Sequence, residues 1–127
     1  MVYLQNRPAT ASCNFFWKAI MSELASKTCL PCREETQPLR GEQISHLLTQ
    51  LTGWKVVNEH HLEKQFAFPD FRRALNFVNQ VGDIADREDH HPDIYLAWGR
   101  AGITIWTHQV DGLTENDFIL AAKIDQL

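Results

Sequence analysis

Two pairs of strand-like runs, each joined by a short polar or glycine-bearing turn and separated by one long amphipathic stretch, constrain this 127-residue chain more than any other feature. The first pair is Trp54-Lys-Val-Val-Asn and Leu62 to Phe68, the second alternating through Leu62, Lys64, Phe66 and Phe68. Such two-residue alternation marks half-buried strands, and the short connection pairs them as a hairpin. The second pair, Ile94–Trp98 and Ile103–Thr107, has Gly99 and Gly102 flanking its turn. Three helical patterns punctuate the strands. Ile44, Leu47, Leu48 and Leu51 share one helix face before Gly53. Phe71, Ala74, Leu75, Val78, Val81 and Ala85 form a longer stripe opened by Asp70 as N-cap and stopped by Pro92. Thr114-x-x-Asp117 reads as a capping box for a last helix, with Phe118, Ala121 and Ala122 on one face. The order α-β-β-α-β-β-α predicts an α+β domain: a four-stranded antiparallel sheet with three helices packed on one face.

Composition excludes several alternatives. The apolar share of 44% supports one packed core. A net charge of −4 leaves no basic stripe for phosphate, so no direct nucleic-acid partner is expected. No apolar run reaches the roughly 18–20 residues of a membrane helix, since Cys13–Met21 is short and carries Lys18, so no membrane partner is expected either. Cys13, Cys29 and Cys32 are odd in number and confined to the start, which favours a reducing cytoplasm. Residues 1–20 lack a secretory pattern, and Met21 is a candidate internal start. Residues 1–33 are expected to be a poorly ordered extension and residues 34–127 the domain.

Candidate chemistry centres on His90-His91-Pro92, where the long helix ends and both imidazoles can project into a cleft. An imidazole with an unperturbed pKa of about 6.5 exchanges protons near neutral pH, which favours acid–base work. His108, at the end of the last strand, can approach the pair; Asp86, one turn before His90, and Asp117 can orient an imidazole or a ligand N–H. The same residues also read as plain structure: histidines complementing a helix dipole, Asp117 serving only its capping box, Asp86 solvated in an acidic run. Spacing does not separate these readings. His60-His61, in a polar turn with nothing later converging on it, reads as a surface pair, as does His46. Cys29-x-x-Cys32 is half a zinc site without a second half. A three-ligand metal site of His90, His108 and Asp117, serving a hydrolase, is a rival.

Asp86-x-x-x-His90-His91-Pro92, Tyr95, Thr107-His108 and Gly112-Leu-Thr-x-x-Asp117, with Gly53-Trp54, Phe66-x-Phe68-x-Asp70-Phe71, Ala74-x-x-Phe77 and the Asp117–Asp125 ending, resemble the pterin-4a-carbinolamine dehydratases. The resemblance covers residues 27–127 and departs at Asp86, where many members carry Glu. It implies the fold already read, dehydration of a 4a-hydroxytetrahydropterin to quinonoid dihydropterin and water, and no cofactor or metal. It assigns His90, His91 and His108 as catalytic and Asp86 and Asp117 to substrate binding. Implied partners are the small pterin, a second copy in a homodimer or homotetramer, and a functional link to aromatic amino-acid hydroxylation. The alternative it carries is a pterin-binding or interaction module, such as a transcriptional dimerisation cofactor, with little catalysis.

Overall fold

The computed structural model describes residues 23–32 and 35–127. Its regular elements are α1 (Gly41–Leu48), β1 (Lys55–Val57), β2 (His61–Ala67), α2 (Phe71–Glu88), β3 (Asp93–Ala97), β4 (Arg100–Ile105) and α3 (Glu115–Asp125). A further helical stretch, which the periodicity does not predict, occupies residues 23–25. The strands form one antiparallel sheet in the order β1-β2-β4-β3, as predicted for an α+β domain.

Register decides which residues meet the helices. Leu62 pairs with Ile105, Lys64 with Ile103 and Phe66 with Ala101, so one side of β2 and β4 faces the core. Leu62, Ala101, Ile103 and Ile105 are completely buried there. Against them lie Val81 and Ile84 of α2 and Phe118, Leu120, Ala121 and Ile124 of α3. Burial of α3 on nearly all sides explains why its sequence shows little amphipathic contrast.

Several expected boundaries shift. Phe71 is 43% exposed, because a first-turn Cβ points back over the capping turn. Phe77 instead packs on Phe66 and Phe68, at ring separations of 4.6 and 5.1 Å. Asp70 caps α2 as expected, accepting from the Arg73 N–H at 2.9 Å. Gly102 lies inside β4, not at the turn, and opposite Gln65; a Cβ there would meet the Gln65 amide at 2.7 Å. β4 stops at Ile105, so His108 belongs to the turn that follows, not to a strand end. Within the stretch expected as an extension, Leu24 is 1% exposed and joins the core. The part of the expected extension before residue 23, Met21 and Cys13 included, lies outside the described residues. Among the described residues no helix is long and apolar enough to cross a membrane.

Candidate active site

The C-terminus of α2 is where the fold presents its imidazoles. Asp89 takes the left-handed conformation (φ 52°, ψ 42°), which Asp tolerates better than most side chains. The His90 N–H then reaches back to the Ala85 carbonyl at 3.1 Å, and the Asp89 N–H to that of Asp86 at 3.3 Å. This pair of bonds is a Schellman termination. It ends the helix, as the Pro92 pattern implies, and it also fixes the direction in which His90 leaves.

His90 meets the N-terminus of α3. Its Nε2 lies 2.6 Å from Asp117 Oδ1, and the Asp117 side chain is wholly buried. The other carboxylate oxygen accepts from Thr107 Oγ1 and from the Thr114 N–H, both at 2.8 Å. The Thr107 and Thr114 hydroxyls also bond each other at 2.9 Å. Asp117 thus performs the predicted capping function and orients His90 at once. No part of the carboxylate is exposed, and both oxygens are engaged within the protein. Because Asp117 and His90 bond one another directly, the three-ligand metal arrangement of His90, His108 and Asp117 is not formed. Among the described residues no group of three or more His, Cys, Asp or Glu is disposed to hold a metal ion.

His91 turns outward, its Nε2 2.9 Å from Asp86 Oδ1. Asp86, one of the two carboxylates expected to orient an imidazole or a ligand N–H, holds His91, and both side chains are more than half exposed. His108 stacks on Trp106, with ring centroids 4.0 Å apart. His90, His91 and His108 line one cleft of about 350 Å³ together with Trp106, Thr107, Glu88 and Asn116. Cys29, Leu30, Pro31 and Cys32 complete part of the same lining. The volume lies at the lower end of the range for small-molecule sites.

Three contributions escaped the sequence reading. Trp106 is the platform beneath His108, and its place next to Thr107-His108 was the available signal. His60 is not an isolated surface residue: its ring lies 4.5 Å from Trp106, and its Nε2 is 2.9 Å from Asp111. His61 sits edge-on to it at 5.3 Å. The Cys29–Cys32 wall gave no sequence sign of its position. Burial, with the nearby negative charge of Glu88, pushes the Cys29 thiol up to about 12; burial and the Asp117 charge also raise Cys32. Neither thiol is therefore poised as a nucleophile at neutral pH.

The fold and cleft define a class: a small α+β protein, its helices packed on an antiparallel sheet, with a histidine–carboxylate cluster lining a cleft. Residues 37–127 match the family model described as pterin 4 alpha carbinolamine dehydratase, and the chain belongs to that family. A relative from Rubrobacter xylanophilus is 57% identical over 107 residues, covering 84% of this chain and all of the relative. One from Alkaliphilus metalliredigens is 48% identical over 107 residues, covering 84% of this chain and 96% of that protein. Both carry the name pterin-4-alpha-carbinolamine dehydratase only provisionally. A crystal structure of a transcriptional coactivator/pterin dehydratase from Brucella melitensis superimposes with a TM-score of 0.67 at 32% identity, covering 71% of this chain and 97% of the other. A pterin dehydratase-like protein described as a RuBisCO assembly factor in the alpha-carboxysome matches with a TM-score of 0.51 at 21% identity, covering 58% and 87%. At that identity the likeness concerns the fold alone.

Proposed function

We propose that the chain dehydrates a 4a-hydroxytetrahydropterin by histidine acid–base catalysis. The observation that carries this reading is the His90–Asp117 pair at the edge of a cleft shared with His108. A buried carboxylate on Nε2 favours the tautomer protonated there, which leaves Nδ1 of His90 with a lone pair. That nitrogen takes the proton from ring N5–H. His108, exposed and able to exchange with water, delivers a proton to the departing 4a-hydroxyl. The C4a–O bond breaks, the nitrogen electrons form the new double bond, and quinonoid dihydropterin and water result. His91, held by Asp86, orients the substrate. The reaction needs no redox step and no cofactor, and it places the chain in the recycling of pterin consumed by aromatic amino-acid hydroxylation, in the cytoplasm.

Steady-state dehydration of a synthetic 4a-hydroxytetrahydropterin tests the assignment. His90→Ala and His108→Ala are each expected to lower kcat by about 10²-fold or more, the scale of general acid–base catalysis. Rates within about twofold of the parent for both would sink it.

Association of copies is supported by β3, an edge strand bearing exposed Ile94 and Tyr95, with Trp98 69% exposed just beyond. An unpaired edge with apolar side chains is an invitation to pairing. Sedimentation at micromolar concentration is expected to show a dimer or tetramer, and a monomer there would refute this. The likeness to the Brucella melitensis transcriptional coactivator/pterin dehydratase supports a second reading, in which the same surface serves a protein partner.

A further inference from the structure

The Cys29–Cys32 segment carries no regular structure, yet its first two residues are fastened to the domain by hydrogen bonds. The Asn116 side chain donates to the Leu30 carbonyl at 2.6 Å and accepts from the Leu30 N–H at 3.0 Å, so one amide satisfies both backbone groups of a residue. The Cys29 N–H donates to Glu88 Oε1 at 2.9 Å. Glu88 is only 8% exposed and faces Lys123 at 3.6 Å. Upstream, Lys123 donates to the Ala25 carbonyl at 2.6 Å, Lys27 pairs with Glu115 at 2.7 Å, and Leu24 is anchored in the core. This is more fixing than a surface strand needs for itself, and the side chains it holds at the cleft are apolar or neutral. Leu30 is 70% exposed, so holding it there contributes little to core burial.

We propose that residues 29–32 are the outer wall of the substrate site, with Leu30 and Pro31 contacting the flat heterocycle and Asn116 setting the width of the cleft as a positioning residue. This rests on the pterin reading of the site. The segment precedes the residues matched by the family model, which begin at 37. Its geometry couples to the chemistry because Asn116 adjoins Asp117: the helix end that orients His90 also holds this wall. A wall of this kind serves binding of ground and transition states alike, so its loss raises KM more than it lowers kcat. The neutral thiols suit such a surface, since neither adds charge beside the imidazoles.

The full chain, Asn116→Ala and Leu30→Asp are compared in steady-state dehydration of a synthetic 4a-hydroxytetrahydropterin. Leu30→Asp alters an exposed side chain and so carries little folding risk. Calorimetric titration with 7,8-dihydropterin reports occupancy independently of turnover. Both variants are expected to raise KM about tenfold while kcat stays within about threefold, and to weaken dihydropterin binding by a similar factor. An active parent whose variants both keep its KM within about twofold would overturn the wall alone. A parent with neither dehydration above the spontaneous rate nor saturable dihydropterin binding would overturn the reading of the site, and the wall with it.

Discussion

Asp117→Asn is expected to lower dehydration by about 10²- to 10³-fold while leaving the fold intact, the scale associated with losing a correctly held acid–base group. The reason lies in counting donors. One Asp117 oxygen accepts from Thr107 Oγ1 and the Thr114 N–H, and the other faces His90 Nε2. Asparagine has a single acceptor oxygen, and two donors compete for it on the Thr107/Thr114 side. Its NH₂ then points at His90 and obliges Nε2 to accept, which moves the ring proton to Nδ1. The base nitrogen is thereby blocked without any change of shape. Asp117→Ala should behave differently, since it strands the same donors in a buried site and should cost about 2–4 kcal/mol of stability as well as activity. Kinetics paired with urea unfolding check both; an Asn variant within about threefold of the parent would show that the tautomer is immaterial.

A second large effect on stability is expected away from the cleft, at Asp125→Ala. Lys64 is mostly buried, and its ammonium is held by Asp125 at 2.8 Å and by the Thr52 carbonyl at 2.7 Å. The same carboxylate accepts from Trp54 Nε1 at 3.0 Å. The ammonium also lies over the Phe66 ring at 4.9 Å. Removing the carboxylate leaves a largely desolvated cation with one partner and an indole N–H with none. Breaking a buried pair from one side typically costs about 3–5 kcal/mol, and the residual exposure of Lys64 lowers the expected loss to about 2–4 kcal/mol. Because the penalty comes from the stranded charge, Lys64→Met in the Asp125→Ala background should restore a large part of it. Urea unfolding of the single and double variants measures this directly. A single variant within about 1 kcal/mol of the parent would mean that water serves the ammonium as well as Asp125 does.

Both predictions draw on residues the sequence showed unequally. Asp117 was visible as the third helical position of a capping box, because a cap is made by neighbours in the chain. That it would face His90, 27 positions away, was not, since spacing reports only local geometry. Lys64 falls in step with Leu62, Phe66 and Phe68 in an alternating strand. Its alternation correctly put it on the core side, opposite Ile103, but the carboxylate that makes this tolerable comes from the end of α3. His60 was misread for the same reason: the turn that carries it is polar, yet Trp106 and Asp111 reach it from a distant connection.

What the chain determined alone is therefore what short-range physics can express. Two-residue and 3.6-residue periodicities decided the order of strands and helices. Asp70, Thr114 and the stop before Pro92 decided where helices begin and end, and so placed His90-His91 at a terminus where side chains leave the helix. Tertiary structure alone decided which oxygen orients His90, that Asp86 serves His91, that Trp106 packs on His108, and that residues 29–32 join the lining of the same cleft. Those pairings depend on sheet register and on helix ends brought together from distant parts of the chain, and the partner of a buried polar group is chosen by what the fold leaves within about 3 Å of it.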